Sequence, residues 1–192
     1  MNTNWSTEWL SELCITVWTE LARAKDDSIH AWRTPGLATL DASGPQARTV
    51  VLRGVDGSAR QLVAFSDARA AKVVQLLANP LAQWLFHDPV HRVQLRATAT
   101  VEVHHNDDFA NAWWKAVPEP SRQNYRTIHP PGTKVTGPDV GREVVAEADC
   151  AHFAVLAATV TELDWLWLTD RGHRRARFRW QDGAWHGEWL VA

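Results

Sequence analysis

The chain has 192 residues, enough for one domain with a sizeable core and no covalent staples. Lys and Arg total 20 against 22 Asp and Glu, which argues against bulk nucleic-acid binding, and two cysteines supply neither a disulfide framework nor a metal-ligand set. The N-terminus lacks the basic start and apolar core of a signal peptide and no long apolar run follows, so the expectation is one cytoplasmic domain over 1–192 with no membrane partner.

Residues 7–24 read as a helix, with Trp9, Leu10, Leu13, Cys14, Val17, Trp18 and Leu21 on the helical period and Glu8, Glu12 and Glu20 elsewhere. Its Trp-rich face needs a large partner, such as the open end of a barrel, and Cys14 reads as a small buried thiol. Trp32 to Gly36 is a loop and Leu37 to Asp41 a short strand. Arg48, Thr49, Val50, Val51, Leu52 and Arg53 alternate as one strand, Asp56-Gly57 turns the chain, and Gln61 to Phe65 returns. Ser66 or Asp67 can cap a helix from Ala68 to Leu77 that carries Arg69 and Lys72 on one face. Free backbone N–H groups, two cations and a hydroxyl suit a phosphate; an ordinary surface helix with solvated cations is the alternative.

Asn79-Pro80 stops that helix and Ala82 to His87 forms the next strand. His91 to His104 alternates at length, with Val93, Leu95, Ala97, Ala99, Val101 and Val103 on one face and Gln94, Arg96, Thr98 and Thr100 on the other. Asn106 is placed to cap a helix through Trp114. The segment 117–149 is rich in Pro and Gly without a clear period, apart from a helical turn at Ser121 to Arg126, and reads as a lid, an interface arm or a disordered loop. Strands follow at His152 to Thr161, Trp165 to Leu168, His173 to Trp180 and Trp185 to Val191, with Gln181-Asp182-Gly183 closing the last hairpin. Six to eight strands without βαβ alternation imply a mainly β protein, an antiparallel barrel with peripheral helices. Most of the twelve tryptophans are expected in the core or at a subunit contact.

His173, Arg175, Arg177 and Arg179 share one face of a strand. Four like charges repel unless anions are near, so the face is either answered by surface carboxylates or is an anion or flavin-edge site. Leu163 to Leu168 is apolar on both faces after Asp164, as for a strand buried on both sides. His104-His105 with Asp107-Asp108 mimics a metal cluster, but adjacent strand residues point apart and cannot chelate together. No nucleophile elbow, Walker loop or dinucleotide glycine pattern is present, and neither cysteine sits in an electropositive motif.

Taken in order, Ala38-Thr39-Leu40-Asp41, Arg48 to Arg53, Phe65-Ser66 with Lys72, Val93-Gln94-Leu95-Arg96 and Arg177-Phe178-Arg179-Trp180 resemble the pyridoxamine 5′-phosphate oxidase-like FMN-binding split barrels. The resemblance runs from about Leu37 to the C-terminus. It implies an antiparallel six-stranded split β-barrel and a homodimer with two FMN sites at the subunit interface. It also assigns Arg48, Thr49, Val50, Val51, Leu52 and Arg53 to the flavin ring and ribityl chain, Phe65 and Ser66 to the family's aromatic–hydroxyl pair, and Lys72 to its phosphate lysine. Gln94 would approach the ring from the partner subunit, and Trp167 and Arg177 would close the ring side.

The chain departs from the pattern at Ala70-Ala71-Lys72, where the family has Ser-Arg-Lys; Arg69 would then replace the missing phosphate arginine. At the substrate end, Trp113, Val117 and Ser121 stand where the oxidase has Tyr, Arg and Ser, and His173 and Arg175 stand where it has Arg and His. The resemblance therefore implies an FMN-dependent oxidoreductase acting on a small molecule other than the vitamin phosphate, with no residue identified as general acid or base. The alternatives are a non-catalytic flavin-binding or sensing module, and a barrel repurposed for single-stranded nucleic acid.

Overall fold

A computed structural model of the chain describes residues 3, 5–145 and 150–192. Helix α1 (Leu10–Asp26) buries Leu13, Cys14, Val17, Leu21 and Ala24, the face that the periodicity picks out. It starts later than the expected 7–24, because the Thr7 hydroxyl accepts from the Trp9 N–H at 3.2 Å and donates to Glu12 at 2.7 Å ahead of the first helical turn. A 3-10 turn (Ala31–Arg33) then leads into strands β1 (Gly36–Asp41), β2 (Gly44–Thr49), β3 (Leu52–Asp56) and β4 (Gln61–Asp67). Helix α2 (Ala71–Ala78) precedes β5 (Leu81–Asp88) and β6 (Val93–His105). Helices α3 (Asp108–Ala116) and α4 (Glu119–Arg122) are followed by β7 (Phe153–Trp167), β8 (Arg174–Gln181) and β9 (Ala184–Leu190).

All nine strands among the described residues join one antiparallel sheet, ordered β2-β1-β5-β6-β7-β4-β3, with β8 also on β7 and β9 on β8. The split is made by β7. Its first half, Phe153 to Thr159, pairs with β4; its second half, Glu162 to Trp167, pairs with β8; and β6 runs along its other edge. Between the halves, the register against β6 shifts so that Thr161 is the extra residue. A bulge bends and twists a strand, which lets one strand serve two edges here. The mainly β split-barrel expectation is met, with nine strands rather than six.

Several local expectations need correction. Arg48 to Arg53 is not one strand: the ladder breaks at Val50-Val51, where the Val50 N–H turns to the Pro35 carbonyl at 3.0 Å. The His152–Thr161 and Trp165–Leu168 segments are one strand, β7. Asn106 does not cap α3; it lies at φ +57°, and Asp107 is the cap, accepting from the Ala110 N–H at 2.7 Å. The last hairpin turns at Asp182 and Gly183, φ +51° and +79°, the left-handed pair a two-residue hairpin requires.

The main core is filled by Trp32, Trp84, Trp165, Phe86 and Phe178 with the apolar face of α1. Trp5 packs on Trp32 and Trp165 with ring centroids 5.7 and 5.9 Å away. A second cluster joins Val63, Val117, Phe153 and Val155 with Phe65, Trp113, Trp114 and Tyr125 under α3. Trp9 and Trp189 are exposed. The long segment is partly ordered: α4 and a 3-10 turn (Gln123–Tyr125) lead to a Thr127–Val144 bridge. The expected loop's last residues, 146–149, lie outside the described residues.

Candidate functional site

The end of β2, the end of β4 and the start of α2 converge on a cluster of cations. Ala70 occupies the N-cap of α2 and offers no side-chain cap, so the first turn presents backbone N–H groups. Lys72, in that turn, donates to the Ser66 hydroxyl at 3.1 Å, and Ser66 is itself buried. Arg48 donates through Nη1 to Thr39 Oγ1 at 2.6 Å and to the Leu37 carbonyl at 3.2 Å, and through Nη2 to Gln75 Oε1 at 3.1 Å. Burial first, then the charge of Arg48, lowers the Lys72 pKa from its ordinary value, with Asp67 acting in the opposite sense. Among the described residues, neither Arg48 nor Lys72 has a carboxylate hydrogen-bond partner. Two adjacent cations, a hydroxyl and a helix N-terminus are groups whose chemistry suits a phosphate dianion.

Arg69 is differently engaged. It lies in the turn before α2, not on the helix, and Asp67 accepts from its N–H at 2.8 Å, its Nε at 3.0 Å and its Nη2 at 2.7 Å. Its guanidinium also donates to the Thr127 and Ile128 carbonyls at 2.9 and 3.2 Å. Asp67 thus serves as Arg69's counter-ion rather than as the helix cap, and Arg69 ties the long segment to the barrel.

Arg53 sits at an irregularity: Leu52 pairs with Ala64 and Gly54 with Val63, leaving Arg53 as the extra residue. Bulges re-aim side chains, and the Arg53 guanidinium lies 5.7 Å from the Phe65 ring centroid. Phe65 meets Trp113 edge-on at 5.5 Å. Gly54 makes this packing possible, since a Cβ there would come within 2.9 Å of the Trp113 ring and 3.0 Å of Val63 Cβ. Tyr125, which the sequence did not single out, joins the same cluster; burial raises its pKa, with the charge of Arg53 opposing that and Asp67 adding to it. An aromatic embedded in a segment without periodicity carries no local signal.

The remaining assigned residues lie elsewhere. Gln94 is on the outer face of β6, half-buried. Trp167 is paired with the core residue Val93 and packs beside Trp165, whereas Arg177 is paired with Asp164 on the outer face. Within one chain, Trp167 and Arg177 are therefore on opposite sides of the sheet. Strand β8 is answered by carboxylates: Arg175 by Asp164 at 2.7 Å, Arg177 by Glu188 at 2.7 Å and Arg179 by Glu162 at 2.8 Å. Arg96 clasps the same Asp164 from β6 at 2.5 Å. His173 is exposed just before β8; Ser121 lies in α4, half-buried. His104 and His105 have separate partners, Asp107 at 2.9 Å and the Ala151 carbonyl at 2.8 Å.

A family model described as the FMN-binding domain of pyridoxamine 5′-phosphate oxidase matches residues 15–105. A pyridoxine/pyridoxamine 5′-phosphate oxidase of Deinococcus deserti is 31% identical over 169 residues, covering 81% of this chain and 77% of that one. A pyridoxamine 5′-phosphate oxidase-related FMN-binding protein of Nostoc punctiforme superposes with a TM-score of 0.77 at 21% identity, over 97% and 98% of the two chains. PhzG of Burkholderia lata, solved with tetrahydrophenazine-1-carboxylic acid, superposes with a TM-score of 0.77 at 17% identity, over 93% and 92%. These last two likenesses establish the shared fold. With the split sheet and the sequence relationship in agreement, the chain belongs to the FMN-binding pyridoxamine 5′-phosphate oxidase-like family.

Proposed function

We propose that the protein is a homodimeric FMN-dependent oxidoreductase acting on a small organic molecule that carries no phosphate group. The observation that carries the FMN assignment is the convergence of Lys72, Arg48 and Ser66 on the open N-terminus of α2, with no carboxylate bound to either cation among the described residues. Lys72 and Arg48 would hold the phosphate with Ser66, and Arg53 and Phe65 would border the ring. We group Arg69 with the structural residues, because Asp67 and the Thr127 and Ile128 carbonyls engage its guanidinium. Bound FMN would supply the two-electron redox chemistry; the chain supplies anion binding, orientation and a positive environment.

The distribution of the same residues supports the dimer. Arg48 and Lys72 lie with α2 at the core-facing side of β1, whereas Gln94 and Arg177 are on the outer face of the sheet. A site that uses both sets draws them from two copies. The outer face also exposes Leu40, Leu81 and Leu85, apolar surface that association would remove from water.

The substrate class rests on Arg175. Asp164 accepts from both its Nε and its Nη2, at 3.1 and 2.7 Å, so the guanidinium is already paired with an internal anion. Trp113 and Val117 likewise offer no cation. These features also favour a second reading, a flavin-binding module without turnover. The nucleic-acid reading is disfavoured, since Asp164, Glu188 and Glu162 pair with Arg175, Arg177 and Arg179 and so occupy the cations on that face of β8 that a phosphate backbone would need. The test is reconstitution with FMN, desalting and an absorption spectrum, followed by anaerobic reduction with NAD(P)H or with non-phosphorylated aromatic amines and alcohols. Retained flavin that one of these reduces supports the oxidoreductase; retained flavin that none reduces favours the module; no retention sinks both.

A further inference from the structure

We propose that Gln75 is the positioning residue of the anion site, the side chain that holds the Arg48 guanidinium ready for a phosphate; this rests on the FMN reading above. Gln75 lies one turn beyond Lys72 on α2 and is buried. Its Oε1 accepts from Thr39 Oγ1 at 2.6 Å and from Arg48 Nη2 at 3.1 Å, while its Nε2 donates to Asp41 Oδ2 at 2.8 Å. Thr39 closes the ring of contacts by accepting from Arg48 Nη1 at 2.6 Å.

The neighbours fix the amide's orientation. Turned over, its NH2 would face the Arg48 donor and its oxygen would face the Asp41 carboxylate, so both charged contacts would oppose, whereas the Thr39 hydroxyl can donate or accept. Asp41 therefore selects the rotamer that presents an acceptor to Arg48. A guanidinium on a flexible stem loses rotamer freedom when it binds an anion, and a side chain held beforehand loses less on binding.

The acceptors around Arg48 are an amide, a hydroxyl and a carbonyl, all neutral. They orient the cation without neutralising it, and the three bonds leave two of its five N–H donors for a ligand. Arg69 shows the contrast: its guanidinium is held by the carboxylate of Asp67. The Asp41 charge acts on Arg48 from behind the Gln75 amide, where it positions without occupying the donors.

The test compares FMN with riboflavin, which lacks the phosphate, by fluorescence titration of the apoprotein, with a thermal melt of each variant. Wild type should prefer FMN. Gln75→Met keeps the volume and removes the acceptor, and should reduce that preference about fivefold to tenfold, less than the loss of a charge-assisted hydrogen bond to the phosphate itself because Arg48 remains, with riboflavin affinity nearly unchanged. Gln75→Glu should reduce it at least as far, because its carboxylate would take the Arg48 charge. Thr39→Val, nearly isosteric, should reduce it in the same direction and serves if Gln75→Met does not fold. An undiminished preference in the folded variants overturns the proposal, as does an equal loss of affinity for both flavins, the mark of a merely structural role. Absence of any preference in wild type removes the phosphate assignment itself.

Discussion

Removing the Lys72 ammonium is expected to weaken FMN binding by about 1.5–3 kcal/mol, the range for a hydrogen bond to a charged group. Lys72→Ala together with Arg48→Ala should cost more than either alone, and isothermal titration with FMN checks both. Arg69→Ala should behave differently. It strands the Asp67 carboxylate, whose side chain is 5% exposed, and breaking such a buried pair costs about 3–5 kcal/mol. Urea unfolding should register that loss while FMN affinity of the folded protein stays near wild type; the reverse pattern would return Arg69 to the phosphate. Lys72 also sets a pH limit. Burial lowers its pKa, and phosphate favours the charged form, so affinity is level from above the phosphate's second ionisation, about pH 6, and falls as pH rises through the depressed lysine value. The fall should begin below about pH 10.4, where an ordinary lysine titrates, and Lys72→Arg should remove it. In the sequence, Arg69 and Lys72 look equivalent, three apart on a possible helix. They differ because the carbonyls that hold Arg69 come from 58 and 59 residues further along the chain, a relation no local spacing encodes.

At the level of elements, two bulges shape the molecule. The one at Arg53 needs Gly54, and Gly54→Ala should cost about 1–3 kcal/mol by overpacking against Val63 and Trp113. Thermal melts would reveal it; an unchanged melting temperature would mean that the α3 cover moves freely. Beside the Thr161 bulge, the Arg96–Asp164–Arg175 contact braces β6, β7 and β8. Burial opposes ionisation of Asp164, but Arg175 and Arg96 outweigh it and leave its pKa below the ordinary carboxylate range. A depressed folded pKa contributes stability above the unfolded value of about 3.9. That contribution is lost as pH falls through the folded value, and Asp164→Asn should flatten this acid limb in denaturation curves taken below about pH 5. The alternation of β6 was legible because one face is buried and the other half-open, which writes a period of two into the residues. In β7 the bulge at Thr161 resets that period, so one strand reads as two. The Val50-Val51 break was hidden for a related reason: β-branched residues suit a strand, and the partner of the Val50 N–H, Pro35, lies outside the local pattern.

For the whole molecule, the prediction is a mass of twice 21.6 kDa in sedimentation, with FMN sites that require both chains. Leu85→Asp, on the outer face where Leu85 is 42% exposed, should dissociate the pair and lower FMN affinity together. A monomer that binds FMN at full strength would show that one chain suffices. The fold class, the order of most strands and the family were legible in the residues alone, because these rest on local periodicity, turn chemistry and a run of short motifs, all properties of neighbouring residues. The candidate residues Ser66 and Lys72 came from the same source. Which arginine stands beside Lys72, the pairing of Asp164 with Arg175 and the contact of Gln75 with Arg48 emerged with the folded chain. Each of those depends on which charges and hydrogen-bond acceptors the sheet brings together from distant segments, and electrostatics acts through space rather than along the chain.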